Sequence, residues 1–121
     1  MKKILVIEDE ADLRANVARI LKAEGYEVIA AANGATGVEA ALAQMPDLIV
    51  CDITMPEMDG FGVLFSLRAN VTTSKIPFIF LTASTRTYDR QWGVELGAND
   101  YITKPFKLED LLAAIRKRLD G

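Results

Sequence analysis

Five short apolar runs punctuate the chain, and between them the apolar residues fall at helical spacing. The runs are Lys3 to Ile7, Tyr26 to Ala31, Leu48 to Asp52, Phe78 to Leu81 and Asp100 to Thr103, each of strand length. Leu13, Val17, Ile20 and Leu21 share one face of a helix expected from Glu10 to Glu24, which Gly25 stops. Further helices are expected from about Gly34 to Gln44, from Asp59-Gly60 through Val63, Leu64 and Leu67, and from about Thr87 to Leu96 before Gly97. The last carries Leu108, Leu111, Leu112, Ile115 and Leu119 at helical spacing. Strict alternation of strand and helix predicts an α/β fold with a parallel sheet. The strands are apolar almost throughout instead of alternating, as expected when helices cover both faces.

The polar residues that end these runs carry the chemistry. Ile4-Leu5-Val6-Ile7 ends in Glu8-Asp9-Glu10, Leu48-Ile49-Val50-Cys51 ends in Asp52, and Phe78-Ile79-Phe80-Leu81 ends in Thr82. Lys104 follows the fifth run. In doubly wound sheets ligands bind beyond the carboxyl ends of the strands, where the winding reverses. Parallel pairing would therefore gather Glu8, Asp9, Asp52, Thr82 and Lys104 at one edge. An acid at the tip of a buried strand is costly unless something meets it there.

Composition narrows what such a site can do. At 121 residues, half apolar and 26% charged, the chain reads as one globular domain over residues 1–121 without linker, repeat or low-complexity tract. A single domain of this kind also fits the front part of a longer chain. The net charge of −3 argues against nucleic-acid binding, and Arg116-Lys117-Arg118 reads as the basic last turn of a helix. The lone cysteine, Cys51, excludes an internal disulfide and suits a reducing compartment. Lys2-Lys3 precedes too short an apolar run for a signal peptide, and no stretch has the length of a membrane span, so a cytoplasmic location is expected. There is no histidine, which removes the commonest general base and every Ser-His or Cys-His mechanism.

Electrostatics then decide what the strand-end acids require. Two like charges about 4 Å apart repel by roughly 4 kcal/mol at an effective dielectric of about 20. Glu8, Asp9 and Asp52 together demand cations, and a divalent ion with the Lys104 ammonium balances their charge. Oxygen ligands alone favour a hard ion, and magnesium typically binds through one or two carboxylates plus phosphate. Such a site is equipped for phosphoryl transfer, with in-line attack by Asp52, Lys104 pairing with one phosphoryl oxygen, and the Thr82 hydroxyl and Ala83 amide binding another. No general base is needed.

Four segments make a family resemblance specific: Ile7-Glu8-Asp9-Glu10, Asp52-Ile53-Thr54-Met55-Pro56-Glu57-Met58-Asp59-Gly60, Leu81-Thr82-Ala83 and Gly97-Ala98-Asn99-Asp100-Tyr101-Ile102-Thr103-Lys104-Pro105-Phe106. Their order and spacing resemble the receiver domains of two-component response regulators, the CheY-like group, across essentially the whole chain. The resemblance implies a doubly wound, flavodoxin-like sheet in the order 2-1-3-4-5. It implies Asp52 as phosphoacceptor, Asp9 as a direct magnesium ligand, Glu8 acting mainly through water and the Thr54 carbonyl completing the set, with manganese as a substitute metal. It makes Thr82 and Tyr101 the switch pair and Lys104, before a cis bond to Pro105, the phosphate-pairing lysine. Glu8 stands where the commonest acidic pair has an aspartate, so the charge is kept and the reach changes. In the family, the positions of Thr54 and Ser84 tune the lifetime of the phosphoryl group.

The implied partners are a sensor histidine kinase or a histidine phosphotransferase, docking beside the small-residue face of Ala11, Ala15 and Ala18. The implied output is a reshaped surface of the fourth helix, fifth strand and fifth helix, with a phosphorylation-dependent dimer left open. The domain would promote its own phosphoryl transfer and loss without being a turnover enzyme, and neither nucleic acid nor membrane is expected to bind it. The alternative is a magnesium-dependent phosphatase that also forms an aspartyl phosphate. That group resembles the haloacid dehalogenases and expects a second acid two residues after the nucleophile, where Thr54 stands. A flavin-binding reading lacks a glycine- and hydroxyl-rich phosphate loop after the first strand.

Overall fold

The computed structural model describes residues 1–120. The elements run β1 (Lys3–Ile7), α1 (Ala11–Ala23), β2 (Glu27–Ala31), α2 (Gly34–Gln44), β3 (Leu48–Cys51), α3 (Gly60–Ala69), β4 (Phe78–Thr82), α4 (Thr87–Leu96), β5 (Asp100–Thr103) and α5 (Leu108–Asp120). All four strand pairings are parallel and the sheet order is β2-β1-β3-β4-β5, as the resemblance implies. Gly121, the last residue of the expected domain, lies outside the described residues.

The near-continuous apolar strands follow from a core on each face. Leu5, Ile7, Ile49, Cys51, Phe78 and Phe80 join Ala41, Val63, Leu64 and Leu67 beneath α2 and α3. Their strand neighbours Ile4, Val6, Leu48, Val50, Ile79 and Leu81 point the other way and meet Val17, Leu21, Leu111, Leu112 and Ile115 of α1 and α5. Strand period and two-sided burial together leave no interior position for a polar residue in the three central strands, β1, β3 and β4, until they end.

Small departures at the element ends place the polar residues. β3 closes at Cys51, so Asp52 is the first residue beyond it and not its last. β4 reaches one residue further than its apolar run, making Thr82 a strand residue at 1% exposure. Leu108, expected on the buried face of the last helix, is 42% exposed, because it opens α5 before the helix reaches the sheet. Asp59 caps α3, its Oδ1 accepting from the Gly62 amide at 2.9 Å. Lys117 and Arg118 do lie in the last turn of α5.

Candidate functional site

Register brings the strand ends together. Ile7 pairs with Cys51 and Thr82 with Thr103, so Glu8 and Asp52 leave neighbouring strands side by side, and Lys104 follows directly beyond Thr82's partner. The backbone ties this edge: the Asp52 amide donates to the Ile7 carbonyl at 3.1 Å and the Lys104 amide to the Thr82 carbonyl at 2.8 Å. β1 turns toward β2 on one side and β3 toward β4 on the other, so a cleft opens between their ends.

Lys104 stands at the centre of the cleft. Its Nζ donates to Glu8 Oε1 at 2.9 Å and to Asp52 Oδ2 at 3.3 Å. The other oxygen of each acid is met by backbone: Asp52 Oδ1 accepts from the Ile53 amide at 2.7 Å and Glu8 Oε2 from the Glu10 amide at 3.2 Å. Glu8 and Asp52 are buried, at 4% and 7% exposure, whereas Asp9 is exposed. Carboxylate oxygens of Glu8, Asp9 and Asp52 nonetheless lie within 4.8 Å of one another, a donor set that suits a hard cation. Thr54 and Ala83 flank the cleft and are exposed.

Burial pushes the Glu8 carboxyl above its ordinary 4.5, outweighing the pull of Lys104 and the Glu10 amide, and the Asp52 charge adds to the rise. For Lys104 burial alone would lower the ammonium, but Glu8 and Asp52 reverse that and hold it above 10.5. Burial and the nearby acids also push the Cys51 thiol well up, so it stays a protonated core residue.

A raised carboxyl fixes the sign of a pH dependence. The folded chain binds Glu8's proton more tightly than the unfolded chain, so this contribution is complete below pH 4.5 and is lost as pH rises through the folded value. Glu8→Gln should flatten that slope and leave the metal-free chain more stable at neutral pH. Urea midpoints across pH 4 to 8 (roughly) read the slope directly; equal slopes in parent and variant would assign it elsewhere.

The switch candidates sit at the cleft's rim. Thr82 Oγ1 accepts from the Ser84 amide at 3.3 Å. The resemblance implies that Tyr101 follows Thr82 inward on phosphorylation, but the structure holds Tyr101 inward already, at 9% exposure. Its hydroxyl donates to the Ser84 carbonyl at 3.0 Å, its ring stands edge-on to Phe80, and the Arg90 guanidinium lies 4.8 Å from its centroid. The Lys104–Pro105 peptide is cis. Of the small-residue face on α1, Ala11 and Ala15 are exposed but Ala18 turns into the core. Sequence reasoning missed Asp89, a buried acid in the first turn of α4; an acid at the start of a predicted helix was the available signal.

Comparison with known proteins agrees over the whole domain. A family model described as "Response regulator receiver domain" matches residues 4–116. Response regulator ArlR of Staphylococcus saprophyticus is 42% identical over 98% of this chain and 53% of its own length. Chemotaxis protein CheY4 of Vibrio cholerae superposes with a TM-score of 0.93 at 33% identity, covering 98% of this chain and 99% of that one. The receiver domain of a sensor histidine kinase from Pseudomonas aeruginosa, solved with a magnesium ion in its active-site cleft, gives 0.91 at 31% identity, covering 99% and 98%. The chain spans about half the length of the curated relatives it matches.

Proposed function

Because the chain belongs to the response regulator receiver domain family, we propose that it is the phosphoacceptor domain of a two-component pathway and that Asp52 carries the phosphoryl group. The observation that supports this most is the Lys104 ammonium held between the Asp52 and Glu8 carboxylates, with Asp9 beside them, at the carboxyl edge of the sheet.

The reaction needs one bond broken and one made. A carboxylate oxygen of Asp52 attacks phosphorus in line with the leaving group, a partner's histidine nitrogen or the acetate of acetyl phosphate, so an acyl phosphate forms and the leaving group departs with its electron pair. Lys104 Nζ neutralises one phosphoryl oxygen, and the Thr82 hydroxyl and Ala83 amide receive another. Glu8, Asp9 and Asp52, with the Thr54 carbonyl, would hold magnesium or, in its place, manganese; once bound, the ion supplies charge neutralisation around the phosphoryl group. Burial of Asp52 limits water around the attacking oxygen.

Thr82 moving toward the phosphoryl group would shift a population in which Thr82 and Tyr101 change together, reshaping the α4–β5–α5 face. A sensor histidine kinase or histidine phosphotransferase would supply the phosphoryl group, and an effector or a second phosphorylated copy would read that face. We place the domain at residues 1–121 and in the cytoplasm, with no turnover activity of its own. Among the described residues no helix is long and apolar enough to cross a membrane. The phosphatase reading finds Thr54 where its second acid belongs.

Incubation with acetyl phosphate and magnesium tests the proposal. The chain should take up about one phosphoryl group, and a chelator should prevent it. No uptake at millimolar donor, or uptake indifferent to chelation, would refute it.

A further inference from the structure

Asp89 is a buried carboxylate, 4% exposed, that phosphoryl transfer does not use. It lies on the inner side of the first turn of α4, where the helix N-terminus favours negative charge. Its Oδ2 accepts from the Ser84 hydroxyl at 2.6 Å and from Arg86, at 3.1 Å from Nε and 3.0 Å from Nη2. The Arg86 side chain is 77% exposed, so that ion pair is screened by solvent. The short bond to Ser84 is the interior one.

Ser84 in turn uses every polar group it has. Its amide donates to Thr82 Oγ1 at 3.3 Å, its carbonyl accepts from the Tyr101 hydroxyl at 3.0 Å, and its own hydroxyl donates to Asp89 while accepting from the Arg86 amide at 3.4 Å. One loop residue thus joins both members of the switch pair to the start of α4. Its neighbours Ala83, Thr85 and Arg86 are exposed, so hydrogen bonds and not apolar packing decide where the Ser84 carbonyl points. Of these bonds only the one to Asp89 is anchored on a helix outside the switch pair.

We propose that Asp89 is a positioning residue for the switch: by holding the Ser84 hydroxyl it keeps the Ser84 carbonyl facing Tyr101, and so sets how much of the unphosphorylated chain keeps Tyr101 buried. The inference rests on Thr82 and Tyr101 being the switch pair. It makes the resting balance a property of the β4–α4 loop as well as of the phosphoryl site. Drawing Thr82 Oγ1 toward a phosphoryl group removes the acceptor of the Ser84 amide. The Asp89 anchor then transmits that loss to α4 instead of letting the loop absorb it.

Fluorine spectra of chain labelled with 3-fluorotyrosine test this, the Tyr101 signal being assigned by its loss in Tyr101→Phe. Asp89→Ala and Ser84→Ala should each reduce the buried fraction relative to the released one by about threefold to tenfold, the span of one lost hydrogen bond. Ser84→Thr keeps a hydroxyl and should keep the parental balance. If Asp89→Ala does not fold, the serine pair carries the test. A merely structural role lowers the melting temperature and leaves the Tyr101 signal in place, and that result overturns the proposal. Beryllofluoride with magnesium, added to the parent chain, separates the two levels by the Ser84 amide resonance. A resonance that moves while both alanine variants keep the parental Tyr101 balance overturns this inference alone. A resonance that stays overturns the switch reading and this inference with it.

Discussion

Lys104→Met should slow phosphoryl labelling by about a hundredfold and lower the stability of the metal-free chain by about 3 kcal/mol at neutral pH. The ammonium is 2.9 Å from Glu8 and 3.3 Å from Asp52, and those side chains are 5% and 9% exposed. Methionine fills much of the same space and leaves two buried carboxylates facing each other without a cation. Breaking a buried pair by removing one partner typically costs about 3–5 kcal/mol, because the remaining charge is left uncompensated. The low end applies here, since the Ile53 and Glu10 amides still meet one oxygen of each acid and Glu8 can take up a proton. The rate falls for a separate reason. Among the described residues Lys104 is the one cation bonded to Asp52, and a preorganised donor at a transferring group is worth about a hundredfold or more. Urea denaturation and initial rates of labelling from acetyl phosphate measure the two effects. Magnesium should recover more stability in the variant than in the parent, and a variant that matches the parent in both measurements removes Lys104 from the site.

Gly60→Ala is the second large effect. A methyl group at Gly60 collides with the Asp52 carbonyl oxygen and meets the Ile53 Cα and a Phe80 ring carbon, each at 2.9 Å. Two of these three neighbours are backbone of the loop that carries Asp52 beyond β3, so relief requires moving Asp52 itself. The Gly60 amide also donates to the Ile53 carbonyl at 2.8 Å, closing the loop from β3 to α3 onto the next peptide along. Overpacking of this kind costs about 1–3 kcal/mol, and a rigid obstruction belongs at the top of that range. Labelling should fall with it, because displacement by about 1 Å is enough to spoil in-line geometry. Gly62→Ala serves as the control. Its methyl meets only the flexible Met58 Cγ at 3.1 Å and Asp59 Oδ1 at 3.6 Å, and alanine is the better helix former, so stability should hold or rise slightly. Equal melting temperatures for the two variants would mean that the close approach at Gly60 is not what seats Asp52.

The contrast between those glycines marks where the sequence stops being legible. The alternation of apolar runs with helical faces carries the parallel sheet and the two cores, because two-sided burial leaves strand positions almost no other composition, whereas the strand order comes only with the family resemblance. The charged strand ends carry the site, because acids there need partners. Element ends were less legible: Thr82 belongs to β4 and Asp52 lies beyond β3, each set by one ladder bond and not by propensity. Leu108 fits the helical pattern and still lies 42% exposed, since periodicity does not say which turn reaches the sheet. The division of labour among the acids was illegible too. Glu8, one methylene longer than aspartate, bonds Lys104 with one oxygen and the Glu10 amide with the other, whereas Asp9 is exposed. Asp89 escaped notice because a carboxylate in the first turn of a helix usually faces solvent, and only the packing of α4 turns this one inward.

Reductive trapping reads directly whether a phosphoryl group is written on Asp52. The chain is incubated with acetyl phosphate and magnesium, treated with borohydride and digested, and the peptide carrying residues 48–60 is sequenced by mass. An aspartyl phosphate is reduced to homoserine and a glutamyl phosphate to hydroxynorvaline, so the expected products are homoserine at position 52, no homoserine at Asp9 and no hydroxynorvaline at Glu8 in the peptide that carries them, and no conversion in Asp52→Asn. Homoserine at another acid, or an acid-stable phosphoryl group retained on Thr54, Thr82 or Ser84, would contradict it.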